Sequence, residues 1–258
     1  LLKGGFSTGH GHLREPNDIE SYAALACIAI QSNQNDQHGG QSVPNFDYGM
    51  APGVKKTYKK LYLTNLGKML DFLEDVEDGV DRMKELGCKI EEEHGVCPCM
   101  AWDNNYKELE LEELKKIVPE EEAKKMQDRA TKFADKEIRR KTYQAMEALI
   151  HNLNTMHSRA GAQVPFSSIN YGTDTSPEGR LVMESVMLAT EAGLGNGETP
   201  IFPIQIFKVK EGVSYNPEDP NYDLFKLACR VSAKRLFPNF SFLDAPFNKQ
   251  YYVEGNPD

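Results

Sequence analysis

The sequence lacks most of the features that mark membrane, nucleic-acid-binding and disulfide-bonded proteins. None of its 258 residues lies in an apolar run that approaches the roughly 20 residues of a membrane span. Lysine and arginine number 30 against 39 acidic residues, and the net charge of −9 argues against broad nucleic-acid binding, which usually needs a basic face. The five cysteines are unevenly spaced, which favours a reducing cytoplasm over a disulfide scaffold.

What is present is the composition of a globular protein, with 40% hydrophobic and 27% charged residues. The length suits one large domain or two small ones. The first residues, LLKGGFSTGHG, contain neither an initiator Met nor a signal peptide. The last residues, FNKQYYVEGNPD, are typical of turns and show no helix or strand pattern. We therefore expect an internal piece of a longer polypeptide.

The first 157 residues are predicted to be mainly helical. A helix over 16–32, capped by Asn17 or Asp18, is apolar nearly all round, which predicts burial on more than one side or packing against a partner. A polar, Gly-rich stretch follows, with a short strand predicted over 41–48. Charged helices are then predicted over 55–75, 78–93, 109–117 and 119–156.

The last hundred residues alternate between strands and helices. Strands are predicted over 163–171, 200–209 and 237–245, and helices over 176–192 and 224–236. This alternation predicts an α/β sheet or barrel, and the long connections favour mainly parallel strands in one sheet together with 41–48.

The strand over 163–171 contains three polar side chains, those of Ser167, Ser168 and Asn170. Buried polar groups cost free energy unless they find partners. These side chains therefore bind a ligand, meet a neighbouring chain, or are satisfied within the fold.

Two groups of His and Cys side chains are candidate metal ligands. They are His10, His12 and His38 in one, and Cys88, His94, Cys97 and Cys99 in the other. The histidines have no accompanying carboxylate or cysteine at a fixed spacing. The cysteines form one C-x-C pair, whereas zinc sites usually use two C-x₂₋₄-C pairs. We expect no catalytic metal in either group.

The other two cysteines, Cys27 and Cys229, are predicted to be core residues, because each lies in a helical pattern without a flanking His or Asp to activate it. No Walker loop, G-x-S-x-G or H-E-x-x-H motif occurs. The Gly-rich ATEAGLGNGETP follows a helix, so a helix end and turn explains it better than a dinucleotide site.

Four stretches together resemble the anaerobic (class III, glycyl-radical) ribonucleoside-triphosphate reductases. They are GFSTGHGHLREPNDIESYAALACIAIQSNQNDQHGGQSVPNFDYGMAPGV, HNLNTMHSRAGAQVPFSSINYGTDTSPEGR, ATEAGLGNGETPIFPIQIFKVKEG and FPNFSFLDAPFNKQYY. The resemblance covers both halves of the chain in order and is weakest over about 77–111.

The resemblance implies a ten-stranded α/β barrel made of two five-stranded halves, with this chain supplying part of the first. It implies an effector and dimer helix and first strand over 1–54, a helical segment over 55–157, and barrel strands over 158–258. In the family a glycyl radical, installed by an iron–sulfur activase that uses S-adenosylmethionine, generates a thiyl radical that acts on the ribose. The N-terminal ATP-binding module, the radical residues and a structural zinc are expected outside this chain, which therefore has no predicted catalytic residue or bound cofactor and is expected to be inactive alone.

The resemblance also implies binding sites. Alternation of side chains in a barrel strand makes Ser168 and Asn170 the better lumen candidates for a ribonucleoside triphosphate, with Ser167 retained as the alternative. A deoxynucleotide effector is expected at a homodimer interface. Its proposed ligands are Gln31 and Gln34 for the base, and Lys56, Lys59 or Lys60 for the phosphates.

Two other functions remain compatible with the sequence. One is a regulatory or degenerate homologue that binds nucleotides without reducing them. The other is a different glycyl-radical enzyme that acts on a small metabolite. The reductant, formate or a thioredoxin-like protein, is not indicated.

Overall fold

The computed structural model describes residues 4–7, 11–37, 39–73, 78–102, 104–157, 161, 163–249 and 251. The chain forms two compact units, Leu1–Gly53 with Lys141–Asp258, and Val54–Arg140. We refer to them as the sheet unit and the helical unit. Among the described helices, none is both long enough and apolar enough to cross a membrane.

The elements follow one another as helices interrupted by short strands. They are β1 (Phe6–Ser7), β2 (His12–Leu13), α1 (Ile19–Asp36), β3 (Gln41–Val43), α2 (Phe46–Leu73), α3 (Gly79–His94), α4 (Asn104–Leu114), α5 (Glu120–Thr155), β4 (Ser167–Tyr171), α6 (Pro177–Ala192), β5 (Ile204–Val209), α7 (Tyr222–Arg235), β6 (Asn239–Phe242) and α8 (Pro246–Lys249). β1 and β2 form a small antiparallel pair.

The main sheet contains four parallel strands in the order β3-β4-β5-β6. Each predicted strand segment contributes one strand, so the α/β class and the prediction of neighbouring parallel strands in one sheet are confirmed. The sheet formed by the described residues is open, with β3 and β6 at its edges. The described residues therefore do not close a barrel.

One side of the sheet, which we call the helix face, is buried beneath α6 and α7. Ile169, Tyr171 and Phe207 on this face have no solvent exposure. The ring of Phe207 lies 6.1 Å from that of Phe225 in α7, and Gln205 Nε2 donates a hydrogen bond to Thr190 Oγ1 in α6 at 2.6 Å. Period-2 alternation places the next residue of each strand on the opposite side.

Helix α1 has Asp18, one of the two predicted caps, as its N-cap, and it begins at Ile19, three residues after the predicted start. The Asp18 carboxylate accepts a hydrogen bond from the backbone N–H of Ser21 at 2.8 Å. The helix continues to Asp36, four residues beyond the predicted end. Its apolar residues are not all buried, because Ala24 and Ile28 are exposed on the side away from the core.

The prediction of a strand over 41–48 is wrong beyond Val43. Pro44 has no N–H for the ladder, and α2 begins at Phe46, nine residues before its predicted start. Phe46, Met50 and Val54 are at most 1% exposed. Their burial outweighs the low helix propensity of Pro52 inside the helix.

The remaining strands are shorter than predicted at their N-terminal ends, and each begins after a proline: Pro165, Pro203 or Pro238. The last strand, β6, also ends at Phe242, three residues before its predicted end. The prediction of a core position for Cys229 is wrong, because α7 buries Leu224, Ala228 and Val231 and leaves Cys229 exposed. The prediction for Cys27 is confirmed, and burial raises the pKa of its thiol to about 12.

The helical unit is organised around a buried carboxylate. Glu110 is fully buried and accepts hydrogen bonds from Tyr62 at 2.5 Å, Tyr106 at 3.1 Å and Gln127 at 2.8 Å. The ring of Trp102 packs edge-on at 4.8 Å from that of Tyr62.

Candidate functional site

The candidate site is the side of the sheet opposite the helix face, which we call the polar face. Strand register places eight residues on it: Ser42, Ser168, Asn170, Ile204, Ile206, Lys208, Asn239 and Ser241. Those in the two central strands are half-buried, unlike the buried alternate residues of the helix face. A partly accessible surface rich in hydroxyls and amides is suited to a polar ligand.

The structure separates the three polar residues of β4. Ser168 and Asn170 lie together on the polar face, whereas Ser167 lies on the helix face and is 1% exposed. The Ser167 hydroxyl donates a hydrogen bond to the carbonyl of Pro165 at 3.2 Å. Ser167 is thus satisfied within the fold, which was one of the alternatives open for this strand.

Asn170 differs from Ser167 in its hydrogen bonding. Its Oδ1 atom is buried and has no hydrogen-bond partner. A buried polar atom without a partner costs about 1–3 kcal/mol, so such an atom in a folded protein calls for a functional or structural reason. A ligand hydroxyl or N–H at this position would supply the missing partner.

The loop after β4 is held by side chains from distant parts of the chain. Asp47 Oδ2, which is fully buried, accepts the backbone N–H groups of Gly172 at 2.9 Å, Thr173 at 3.1 Å and Asp174 at 3.1 Å. Asn221 Nδ2 donates to the carbonyls of Gly172 at 3.1 Å and Asp174 at 3.0 Å. Side chains from distant parts of the chain therefore hold both the backbone N–H groups and the backbone carbonyls of this loop.

Gly172 is required by the conformation of this loop. Its φ of +136° is one that side-chain-bearing residues rarely adopt, and a Cβ there would collide with the backbone of Lys208 in β5. Gly172 thus allows β4 and β5 to approach closely where the polar face meets the loop.

The side chain of Lys208 crosses from β5 to the segment after β3. Its Nζ donates hydrogen bonds to the Pro44 carbonyl at 2.6 Å and to Asn45 Oδ1 at 2.5 Å. Burial lowers its pKa, and the nearby Asp47 carboxylate opposes that shift.

Sequence reasoning missed Asp47, Asn221 and Lys208. Asp47 was hidden in a stretch predicted to be strand, and Asn221 gives no local signal. Lys208 did carry a signal, since it is the only charged residue in the strand IFPIQIFKV.

The residues proposed for the effector lie in both units. In the sheet unit, Gln34 is buried, and Gln31 has a buried Nε2 atom without a hydrogen-bond partner. In the helical unit, Lys59 forms an ion pair with Glu91, and Lys60 is exposed. Lys56 is half-buried. Their role as effector ligands stays a prediction.

The candidate metal ligands do not assemble within the described part of the chain, where no group of three or more His, Cys, Asp or Glu side chains is placed to hold a metal. His10 and His38 lie outside the described residues. Burial raises the pKa of the Cys97 thiol, with Lys55 opposing the shift, so this thiol is poorly disposed to act as a thiolate ligand. Cys99 Sγ lies 3.1 Å from the Ala101 carbonyl.

Comparison with known proteins relates nearly the whole chain to one family. Residues 1–256 match the family model described as anaerobic ribonucleoside-triphosphate reductase. The anaerobic ribonucleoside-triphosphate reductase of Escherichia coli is 25% identical over 240 residues, which cover 93% of this chain and 26% of that protein. The enzyme of the same name from phage T4 is 26% identical over 240 residues, 93% of this chain and 30% of that protein. The chain thus spans less than a third of these relatives.

Proposed function

Because the chain belongs to the anaerobic ribonucleoside-triphosphate reductase family, we propose that the full-length protein containing it reduces ribonucleoside triphosphates to deoxyribonucleotides for DNA synthesis. The observation that carries this proposal is the family match over residues 1–256. The radical chemistry is assigned to residues outside this chain. The role of this chain is to form part of the substrate site and its supporting scaffold.

We propose that the four-stranded sheet is part of a ten-stranded α/β barrel. Two features support this arrangement: all four strands are parallel, and among the described residues neither edge strand, β3 or β6, pairs with a further strand. In a closed barrel the polar face would line the lumen, because α6 and α7 cover the opposite side.

On this proposal Asn170 and Ser168 bind the substrate from the polar face. Their neutral amide and hydroxyl groups can exchange hydrogen bonds with the ribose hydroxyls of the substrate. The unpartnered Asn170 Oδ1 accepts a hydrogen bond, and a ribose hydroxyl can donate one.

The proposal includes three partners of the full-length protein. They are a deoxynucleotide effector, a second copy of the chain in a homodimer, and the iron–sulfur activase that installs the glycyl radical. Gln31, with its buried unpartnered Nε2, supports a ligand next to α1.

The decisive experiment is anaerobic reconstitution of the full-length protein with its activase, S-adenosylmethionine, a reductant and CTP. The expected product is dCTP, measured by chromatography, and its formation should require the activase. A protein that binds CTP but forms no dCTP would support the regulatory homologue. A glycyl radical visible by electron paramagnetic resonance, without CTP binding or dCTP formation, would support a different glycyl-radical enzyme.

A further inference from the structure

Lys208 is a half-buried cation whose hydrogen-bond partners are neutral. Its ammonium donates to the Pro44 carbonyl at 2.6 Å and to Asn45 Oδ1 at 2.5 Å. An ammonium has three N–H groups, so these two acceptors leave one N–H for another partner. Within the described residues, no carboxylate lies close enough to form an ion pair with it.

Asp47 is the carboxylate whose charge acts on Lys208, but it is engaged elsewhere. Its Oδ2 atom accepts the three backbone N–H groups of 172–174, and its Oδ1 accepts the N–H of Tyr48 at 3.1 Å. Asp47 therefore favours the charged form of Lys208 electrostatically, but it does not accept the remaining N–H of the ammonium. Burial of the ammonium disfavours its charged form, and a bound anion would offset that cost.

Lys208 and Asn170 lie on the same face in adjacent strands. Asn170 pairs with Ile206, so Lys208 is the next residue along that face, towards the carboxyl end of β5. Strand geometry puts such diagonal neighbours about 8 Å apart. That separation suits a ligand with a hydroxyl-bearing ring at one end and an anionic group at the other. Ligands of α/β sheets bind beyond the carboxyl ends of the strands, where the anionic end would lie.

We propose that Lys208 binds the phosphate groups of the ribonucleotide whose ribose contacts Asn170, an inference that rests on the proposed function. The Lys208 ammonium is held in place by Pro44 and Asn45 and turns its third N–H to a phosphate oxygen. Because the Pro44 carbonyl and the Asn45 side-chain amide are neutral, they orient the ammonium without neutralising its charge. Lys208 is therefore a substrate-binding residue rather than only a link between β5 and the β3–α2 turn.

The first test measures CTP affinity by equilibrium dialysis on the full-length, non-activated enzyme, with the effector site saturated by a deoxynucleotide. Lys208→Gln should weaken CTP binding by about 10- to 100-fold, the range for a lost hydrogen bond to a charged group. Lys208→Arg should recover most of the affinity, since it keeps the charge. Lys234→Gln is the matched control, because it removes an exposed cation from α7, and it should bind CTP like the wild type.

A second test needs no variant, so it stands even if Lys208→Gln fails to fold. Lysine acetylation of the wild-type enzyme, read by mass spectrometry, should label Lys208 in the empty enzyme. CTP should protect Lys208, cytidine should not, and Lys234 should be labelled equally in all three samples.

Three results would overturn the inference: unchanged CTP affinity in a folded Lys208→Gln enzyme, no protection of Lys208 by CTP, or no labelling of Lys208 in the empty enzyme. Wild-type enzyme that binds no CTP at all would instead reject the proposed function. The two failures are thus distinguished by the wild-type measurement.

Discussion

Asp47 and Gly172 are 125 residues apart in the chain, yet Asp47 Oδ2 accepts the backbone N–H of Gly172 at 2.9 Å. The same oxygen accepts the two following N–H groups, so one carboxylate orders the turn that leaves β4. Asp47 occupies the first turn of α2. This bond therefore joins the start of a helix to the edge of the candidate site.

Replacing Asp47 should destabilise the sheet unit. Asp47→Ala removes the acceptor of three partly or fully buried N–H groups, and a loss of about 3 kcal/mol or more in the free energy of unfolding is expected. Asp47→Asn keeps one oxygen and should cost less. Urea denaturation of the full-length protein, followed by pulse proteolysis, measures both. The control is Asp128→Ala at an exposed position, which should change stability by less than about 0.5 kcal/mol; equal effects of Asp47→Ala and Asp128→Ala would contradict the ordering role.

Asn170→Ala should weaken substrate binding and leave the fold intact. The residue has no protein partner for its Oδ1, so its removal deprives only the ligand of a hydrogen bond. That loss should lower CTP affinity by roughly one to two orders of magnitude. Equilibrium dialysis on the full-length enzyme measures the affinity, with Asn33→Ala on the exposed side of α1 as the control. Normal CTP binding by the Asn170→Ala enzyme would show that Asn170 does not bind the substrate.

Substitutions of Lys59 and Lys60 test the effector assignment. Each replacement by Ala, within the full-length enzyme, should weaken deoxynucleotide effector binding, because each removes a positive charge proposed to contact phosphate. Lys59→Ala also frees Glu91, its ion-pair partner, and so should have the larger effect. Isothermal titration with the effector measures both. Unchanged affinity in the two variants would reject the assignment of these lysines.

Glu110 should make the helical unit less stable as pH rises. Burial raises the pKa of Glu110 above its ordinary value of 4.5, although Tyr62, Gln127 and Tyr106 oppose the shift by donating hydrogen bonds. The folded state then binds the proton more tightly than the unfolded state, so this contribution to stability is full below about pH 4.5 and is lost as pH rises through the raised pKa.

Glu110→Gln should remove this part of the pH dependence. Relative to wild type, the variant should gain stability steadily as pH is raised from about 4.5. Pulse proteolysis of the full-length protein in urea at several pH values, with cleavage sites read within 54–140, measures the difference. The exposed Glu108→Gln on the same helix is the control and should parallel wild type. Parallel curves for Glu110→Gln and wild type would show that Glu110 does not titrate in this range.

The cysteines of the helical unit should hold no stoichiometric metal. The C-x-C pair offers two thiols, one with a raised pKa, where a structural zinc needs four ligands. Mass spectrometry for metals on wild type and on a Cys97→Ser, Cys99→Ser double variant provides the measurement. A zinc present in wild type and lost from the variant would disprove this prediction.

Local sequence features predicted much of the architecture. Asp18 was one of two caps predicted for α1, because capping depends on a side chain and an N–H only three residues apart. The alternation of β4 correctly placed Ser168 and Asn170 on one face and Ser167 on the other, because side-chain direction in a strand follows a period of two. The start of α2 and the exposure of Cys229 were missed, because packing against distant residues outweighed local propensity there.

The sequence by itself determined the family, the α/β class and the two faces of β4, since each depends on residue identity and spacing along the chain. Only the tertiary structure decided that Ser167 is satisfied while Asn170 Oδ1 is not, and that Asp47, Asn45 and Lys208 meet at the carboxyl edge of the sheet. The physical reason is that hydrogen-bond satisfaction depends on which atoms lie within about 3 Å of one another. For Asp47 with Gly172, and for Lys208 with Asn45, those atoms come from residues more than 100 positions apart.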